Sequence, residues 1–286
     1  MDVLWSKRSM KSGLLGTHLE IDHGSWVLST TAGLGGDIDS AYEYFYKAGV
    51  AFGDERYLMM FNMSLEAIQK TLRVEGDDYL YFVDSDLITG IKTLSLRSLS
   101  AFWPGILAHA GLHSDAKKTI QSLARVIELL GFLPESLCVT SLPNGAKVVS
   151  DLSVQPFQRG LPMDGYPLRP EFVESLFHLF SVTKDRSLLQ HALRVQQALR
   201  KTRVTCGFCS VHGVLNQQHN LLDQMDSFVV SETLKYLYLL WDLAEDNPEK
   251  NWVNKGGYIF TTEAHIFPLE TMLKATPTKI VEKLIE

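Results

Sequence analysis

Tyr166-Pro-Leu-Arg-Pro-Glu-Phe-Val-Glu-Ser-Leu-Phe-His-Leu-Phe-Ser-Val-Thr-Lys-Asp-Arg-Ser-Leu-Leu-Gln-His-Ala-Leu-Arg-Val-Gln-Gln-Ala-Leu-Arg200 is the stretch that decides the fold. Its apolar residues recur at helical spacing from Glu171 to Val182 and again from Arg186 to Arg200. Thr-Lys-Asp joins the two runs, and Pro170 suits the first helical turn, so the segment reads as a helical hairpin. The same pattern extends outward. Ser40 to Val50 pairs with Glu55 to Thr71, and Leu94 to Ala110 pairs with Ser114 to Leu130 across a Gly-Leu-His turn. Ser227 to Leu243 is a further helix, while Gly257 to Thr262 reads as a strand of a short C-terminal β-hairpin. Helical hairpins in series predict an all-α chain, either an α/α toroid or an α-solenoid; the lack of a fixed repeat period disfavours the solenoid. Leu133 to Leu168 holds five prolines and no helical stripe, which reads as a long loop that either works at a site or is disordered.

The 286 residues are 45% hydrophobic and 21% charged, enough for a sizeable core. A formal net charge of -6 gives no reason to expect nucleic acid or an anionic membrane surface. The apolar run Phe102 to Ala110 is broken by Pro104 and Gly105 and is too short to span a bilayer. Met-Asp-Val-Leu-Trp-Ser-Lys-Arg-Ser lacks the apolar stretch of a signal peptide, so a leader has been removed or the chain begins inside a larger protein. Three cysteines, Cys138, Cys206 and Cys209, exclude a full disulfide framework. Cys206-Gly-Phe-Cys209, followed by His212 and His219, lacks the regular four-ligand spacing of a zinc site; a local disulfide or two ordinary thiols in a turn is the better reading.

Carboxylates gather at element ends: Asp39, Glu135, Glu171, Glu174, Glu232 and Glu263. Each alone can be read as serving a helix start, where free backbone N–H groups and the helix dipole favour an acid. In a toroid, however, the ends of successive hairpins share one rim. Carboxylates around a cavity walled by Tyr42, Phe102, Trp103, Tyr166 and Phe228 describe a sugar pocket or a hard-cation site. Glycoside hydrolysis needs that combination, one carboxylic acid for the leaving oxygen and one carboxylate for water.

Four stretches, in order, resemble glycoside hydrolase family 47, the class I α1,2-mannosidases. They are Gly33-Leu-Gly-Gly-Asp-Ile-Asp-Ser-Ala-Tyr-Glu-Tyr44, Tyr166-Pro-Leu-Arg-Pro-Glu-Phe-Val-Glu-Ser175, Asp226-Ser-Phe-Val-Val-Ser-Glu-Thr-Leu-Lys-Tyr-Leu-Tyr-Leu-Leu240 and Phe260-Thr-Thr-Glu-Ala-His265. Trp5 to Gly16 and Leu99-Ser-Ala-Phe-Trp-Pro-Gly105 are similar to the branch of ER degradation-enhancing α-mannosidase-like proteins, with Ser98 where processing mannosidases carry a histidine. The resemblance implies an (α/α)7 barrel, of which residues 1–270 supply about half, followed by a tail at 271–286. It implies inverting hydrolysis with Ca²⁺ at the barrel's base. By motif, Glu171 and Asp39 match the carboxylates that activate water, and Thr262 matches the calcium ligand. Arg169, Glu174, Phe228, Glu232, Glu263 and Glu135 match residues lining the sugar pocket. No segment resembles the family's general-acid motif. The implied location is the endoplasmic reticulum lumen. The implied partners are high-mannose N-glycans of misfolded glycoproteins, with an ER oxidoreductase or other degradation components beside them. A catalytically inactive lectin-like receptor and a truncated inactive fragment are the alternatives. Asn62-Met-Ser64 is a glycosylation sequon within a predicted helix.

Overall fold

The computed structural model describes residues 2–26, 31–142, 145–149, 164–245, 253 and 256–269, with backbone alone at 140–142 and 145–149. A short α1 (Asp2–Ser6) precedes the first hairpin, α2 (Asp39–Phe52) and α3 (Glu55–Thr71). Gly53 turns it at φ 62°, and the Asp54 side chain accepts the Arg56 N–H to start α3. The second hairpin is α4 (Trp103–His109) and α5 (His113–Leu130). The third is α6 (Glu171–Thr183) and α7 (Leu189–Lys201), turned through Lys184 at φ 55° with Asp185 capping the Ser187 N–H. Last comes α8 (Lys235–Ala244), entered through a π-helical turn at Val229–Leu234.

α6 is the centre of the inner layer, packed between α4 and α8 and backed by α5 and α7. Trp103, Tyr42, Tyr236, Phe45 and Phe177 are fully buried there, the large aromatic surface that holds hairpins together. Gly105 lets α4 and α6 close up: an added Cβ would sit 3.2 Å from the His178 ring. Its N–H donates to Ser175 Oγ, whose hydroxyl donates to the Ala101 carbonyl.

The helical boundaries expected at Ser40, Glu55, Ser114, Glu171 and Ser227 lie within two residues of those observed. Leu94 to Ala110 does not form one helix. Ser95–Arg97 is a strand, Ser98–Phe102 a 3-10 turn, and only Trp103 onward is α-helical, because Pro104 suits the first turn of a helix rather than its middle. The presumed loop after Leu133 contains Ser136–Leu142, which pairs with Ser95–Arg97 and with Gly145–Val149 in a three-stranded antiparallel sheet. Residues 150–163, including Pro156 and Pro162, and the tail at 271–286 lie outside the described residues. Asn62 is exposed on α3, while Ser64 is buried with its hydroxyl bound to the Met60 carbonyl. Cys206 sits exposed at the turn of the Arg203–Val204/Gly207–Phe208 hairpin and Cys209 is buried, both as free thiols. His219 Nε2 donates to the Leu130 carbonyl and His212 lies 3.5 Å from Asp164.

Candidate active site

Asp39 is the first residue of α2, and Glu171 and Glu174 occupy the first turn of α6. Thr262 lies at the tip of the antiparallel hairpin formed by Tyr258–Phe260 and Ile266–Pro268. These four residues, with Ser40, Leu99 and Phe102, line one cleft. The hairpin is wedged in place by Phe260, whose ring lies 5.8 Å from Phe177 and 5.8 Å from Tyr236. The Thr261 N–H donates to the His265 carbonyl to close the tip, and Ala264 takes φ 57°. Tyr44 Oη accepts the Thr262 N–H at 3.3 Å, and Lys235 Nζ donates to the Ala264 carbonyl at 2.5 Å. The tip is therefore fixed to both α2 and the start of α8.

Beside the cleft stands a second group. Arg169 grips Glu135 bidentately, Nε to Oε1 at 2.7 Å and Nη2 to Oε2 at 2.8 Å, and lies over the Phe228 ring at 5.4 Å. The Ser98 hydroxyl donates to the same Glu135 Oε1 at 2.8 Å. Arg169 thus holds a carboxylate bidentately, and that carboxylate is Glu135.

Near Glu174, Lys47 and Glu43 form a buried ion pair. With Arg169 bound to Glu135 and Lys47 to Glu43, the remaining buried carboxyls are under strain as anions. Burial pushes Glu171 up to about 8 against the opposing charge of Arg169. Burial and then the Glu263 charge push Glu232 up to about 7. Glu174 is raised well above the ordinary range by burial and by Glu43, and it accepts the Tyr236 hydroxyl at 3.4 Å. Glu171 Oε2 is buried without a hydrogen-bond partner.

These features fit a hard divalent cation. Every polar group lining the cleft (Asp39, Ser40, Glu171, Glu174, Thr262) offers oxygen, and an excess of buried carboxyl groups with an orphaned oxygen is what positive charge would satisfy. Among the described residues no three acidic or imidazole groups converge into a ready cage.

Asp39, Glu171, Glu174 and Thr262 are brought together; Arg169, Glu135 and Phe228 form the adjoining group; Glu232 is buried within electrostatic reach of Glu171 and Glu174. Glu263 is exposed beside Thr262. Asp39 does part of a helix-start acid's work as well, since its Oδ1 accepts the Ser40 N–H at 2.7 Å. The expected aromatic walls are corrected: Tyr42 and Trp103 are fully buried core, while Phe102 lines the cleft and Tyr166 lies behind Arg169. Sequence reasoning missed Glu43 and Lys47. Their signal is the i, i+4 series Asp39, Glu43, Lys47 on an otherwise aromatic helix.

A toroid-type array of helical hairpins with a carboxylate-lined cleft, closed by a hairpin tip, defines the class. Its fold is that of the (α/α)7 barrel: the alpha-1,2-mannosidase from Trichoderma reesei superposes with a TM-score of 0.72 at 24% identity, over 90% of this chain and 56% of that one. The model of glycosyl hydrolase family 47 matches residues 1–269, and the chain belongs to that family. Alpha-mannosidase I MNS4 of Arabidopsis thaliana is 36% identical over 269 residues, 93% of this chain and 39% of the relative. ER degradation-enhancing alpha-mannosidase-like protein 2 of Homo sapiens is 32% identical over 277 residues, 92% of this chain and 44% of the relative. The chain thus spans less than half the length of these curated relatives.

Proposed function

We propose that the cleft is the sugar- and calcium-binding part of an α1,2-mannosidase site, acting on high-mannose N-glycans of misfolded glycoproteins in the endoplasmic reticulum lumen. The observation that carries this reading is the convergence of Asp39, Glu171, Glu174 and Thr262 on one cleft from three separate elements. Glu171 is the first candidate base for the attacking water, and Asp39 the second. Thr262 would hold Ca²⁺, with Glu174, Glu232 and Glu263 orienting its waters. A bound calcium ion supplies positive charge that grips sugar hydroxyls and favours ionised carboxylates nearby. Glu135 fixes the Arg169 plane, and Arg169 with Phe228 forms a flat wall on which a sugar face can rest. Similarity to both the plant mannosidase and the degradation-enhancing proteins supports the location and the glycan class.

Inverting hydrolysis also needs a protonated acid across the bond. No segment of this sequence resembles the family's acid motif, and loss of a general acid costs about 10²–10⁴ in rate. The 286-residue chain by itself should therefore release no measurable mannose from an α1,2-linked oligomannose glycan. Joined to the acid-bearing half of a family domain, it should release mannose, and Glu171→Gln should abolish that release. Turnover by the chain alone, undiminished in Glu171→Gln, overturns the assignment.

A further inference from the structure

The segment that delivers Asp39 to the cleft, Gly33-Leu-Gly-Gly-Asp-Ile-Asp39, lies on two charged side chains with no part in the site as described above. Asp84 is only 5% exposed and pairs with Arg97, Nε to Oδ2 at 3.3 Å. A Cβ added at Gly33 would come within 3.0 Å of the Asp84 carboxylate, and one at Gly35 or Gly36 within 3.0 Å of Arg97. Contact with this pair thus requires glycine at Gly33 and Gly35, and the backbone requires it at Gly36. Gly36 and Asp37 then take φ 60° and 55°, a tight left-handed turn directly before α2.

The pair is held from behind. The Asp84 N–H donates to the Ser95 carbonyl, and the Thr93 N–H and hydroxyl both donate to the Asp84 carbonyl. Ser85, the next residue, pairs with Ala32 just before the glycines. Arg97 ends the strand whose next residue, Ser98, holds Glu135. Keeping Asp84 there has a cost, since burial pushes its carboxyl up to about 6 in spite of Arg97. A buried ion pair is poor evidence for stability, because apolar replacements often do as well. Its retention under a glycine turn points to geometry instead.

We propose that Asp84 and Arg97 are positioning residues, a shelf that sets the Gly33–Asp37 turn and through it the place of the Asp39 carboxylate in the cleft. The proposal rests on the mannosidase reading for its functional consequence and on geometry alone for its structural one. The two are tested separately.

Hydrogen exchange of the folded chain tests the shelf. In Arg97→Ala and in Gly33→Ala, amides of residues 34–41 should exchange about ten-fold faster or more, while those of α6 and α8 keep their rates. Asp39→Asn should leave the turn's exchange unchanged. Arg97→Lys, which keeps charge and most of the volume, covers the case in which Arg97→Ala fails to fold. Unchanged exchange in the turn, or loss of protection there only together with the whole molecule, overturns the shelf. Kinetics of a mannose-releasing family domain containing this chain test the coupling. Arg97→Ala should lower kcat by about 10²-fold, the effect of a misplacement near 1 Å, with little change in KM. It should cause no further loss in an Asp39→Asn background. Losses that multiply overturn the coupling. Should Asp39→Asn itself retain full activity, the water-activating role of Asp39 fails, and the exchange data still decide the shelf.

Discussion

Glu171 carries a buried oxygen with no hydrogen-bond partner, an arrangement that costs on the order of 1–3 kcal/mol in an ordinary core. Its folded-state affinity for a proton is raised to about 8, that of Glu232 to about 7 and that of Asp84 to about 6. Each of these carboxyls binds a proton more tightly folded than unfolded. The stability they confer is therefore full below the ordinary carboxylate range and is lost as pH rises through about 6 to 8. In a chelator, the melting temperature should fall between about pH 7 and pH 8.5, above the range in which His109, His178 and His191, whose proton affinity burial lowers, add stability as pH rises; calcium should recover part of the loss at the alkaline end. A melting temperature that rises over this interval in chelator contradicts the sign. Arg169→Ala leaves Glu135 without its bidentate partner. It should destabilise the fold by about 1–3 kcal/mol in denaturant titration, whereas a double replacement with Glu135→Gln should cost less than the sum of the two single changes.

At the scale of elements, the wedge that carries Thr262 is the most exacting part. Phe260 is 5% exposed and its ring meets Phe177, His178 and Tyr236. Phe260→Ala should cost about 3–5 kcal/mol, and it should weaken any calcium stabilisation because the tip loses its anchor; paired melts with and without calcium measure both. The strand character of Tyr258–Phe260 was legible from its aromatic and β-branched residues, and the α6–α7 hairpin from its apolar period and Pro170. The strand at Ser95–Arg97 was not, since three residues carry no period, and its partner Ser136–Leu142 is distant in sequence. The family resemblance implies one site for Asp39, Glu171, Glu174 and Thr262, and the four line one cleft. The Glu43–Lys47 pair and the Asp84–Arg97 shelf are hidden in the sequence, because charges in mid-helix, in a loop or at a strand end look like solvent-facing residues until burial is seen.

Across the whole molecule, one inner row of helices brings the first turn of α6, the start of α2 and the hairpin tip to a common cleft. Among the described residues, burial disfavours the anionic forms of Glu171, Glu174 and Glu232, so a divalent ion is a natural complement. Calorimetric titration of the chain with α1,2-linked mannobiose, in calcium and in chelator, tests this most directly. Binding in calcium that disappears in chelator and in Thr262→Ala is the expected result. Binding of equal strength in all three conditions, or calcium uptake by Thr262→Ala equal to that of the parent chain, would contradict the account.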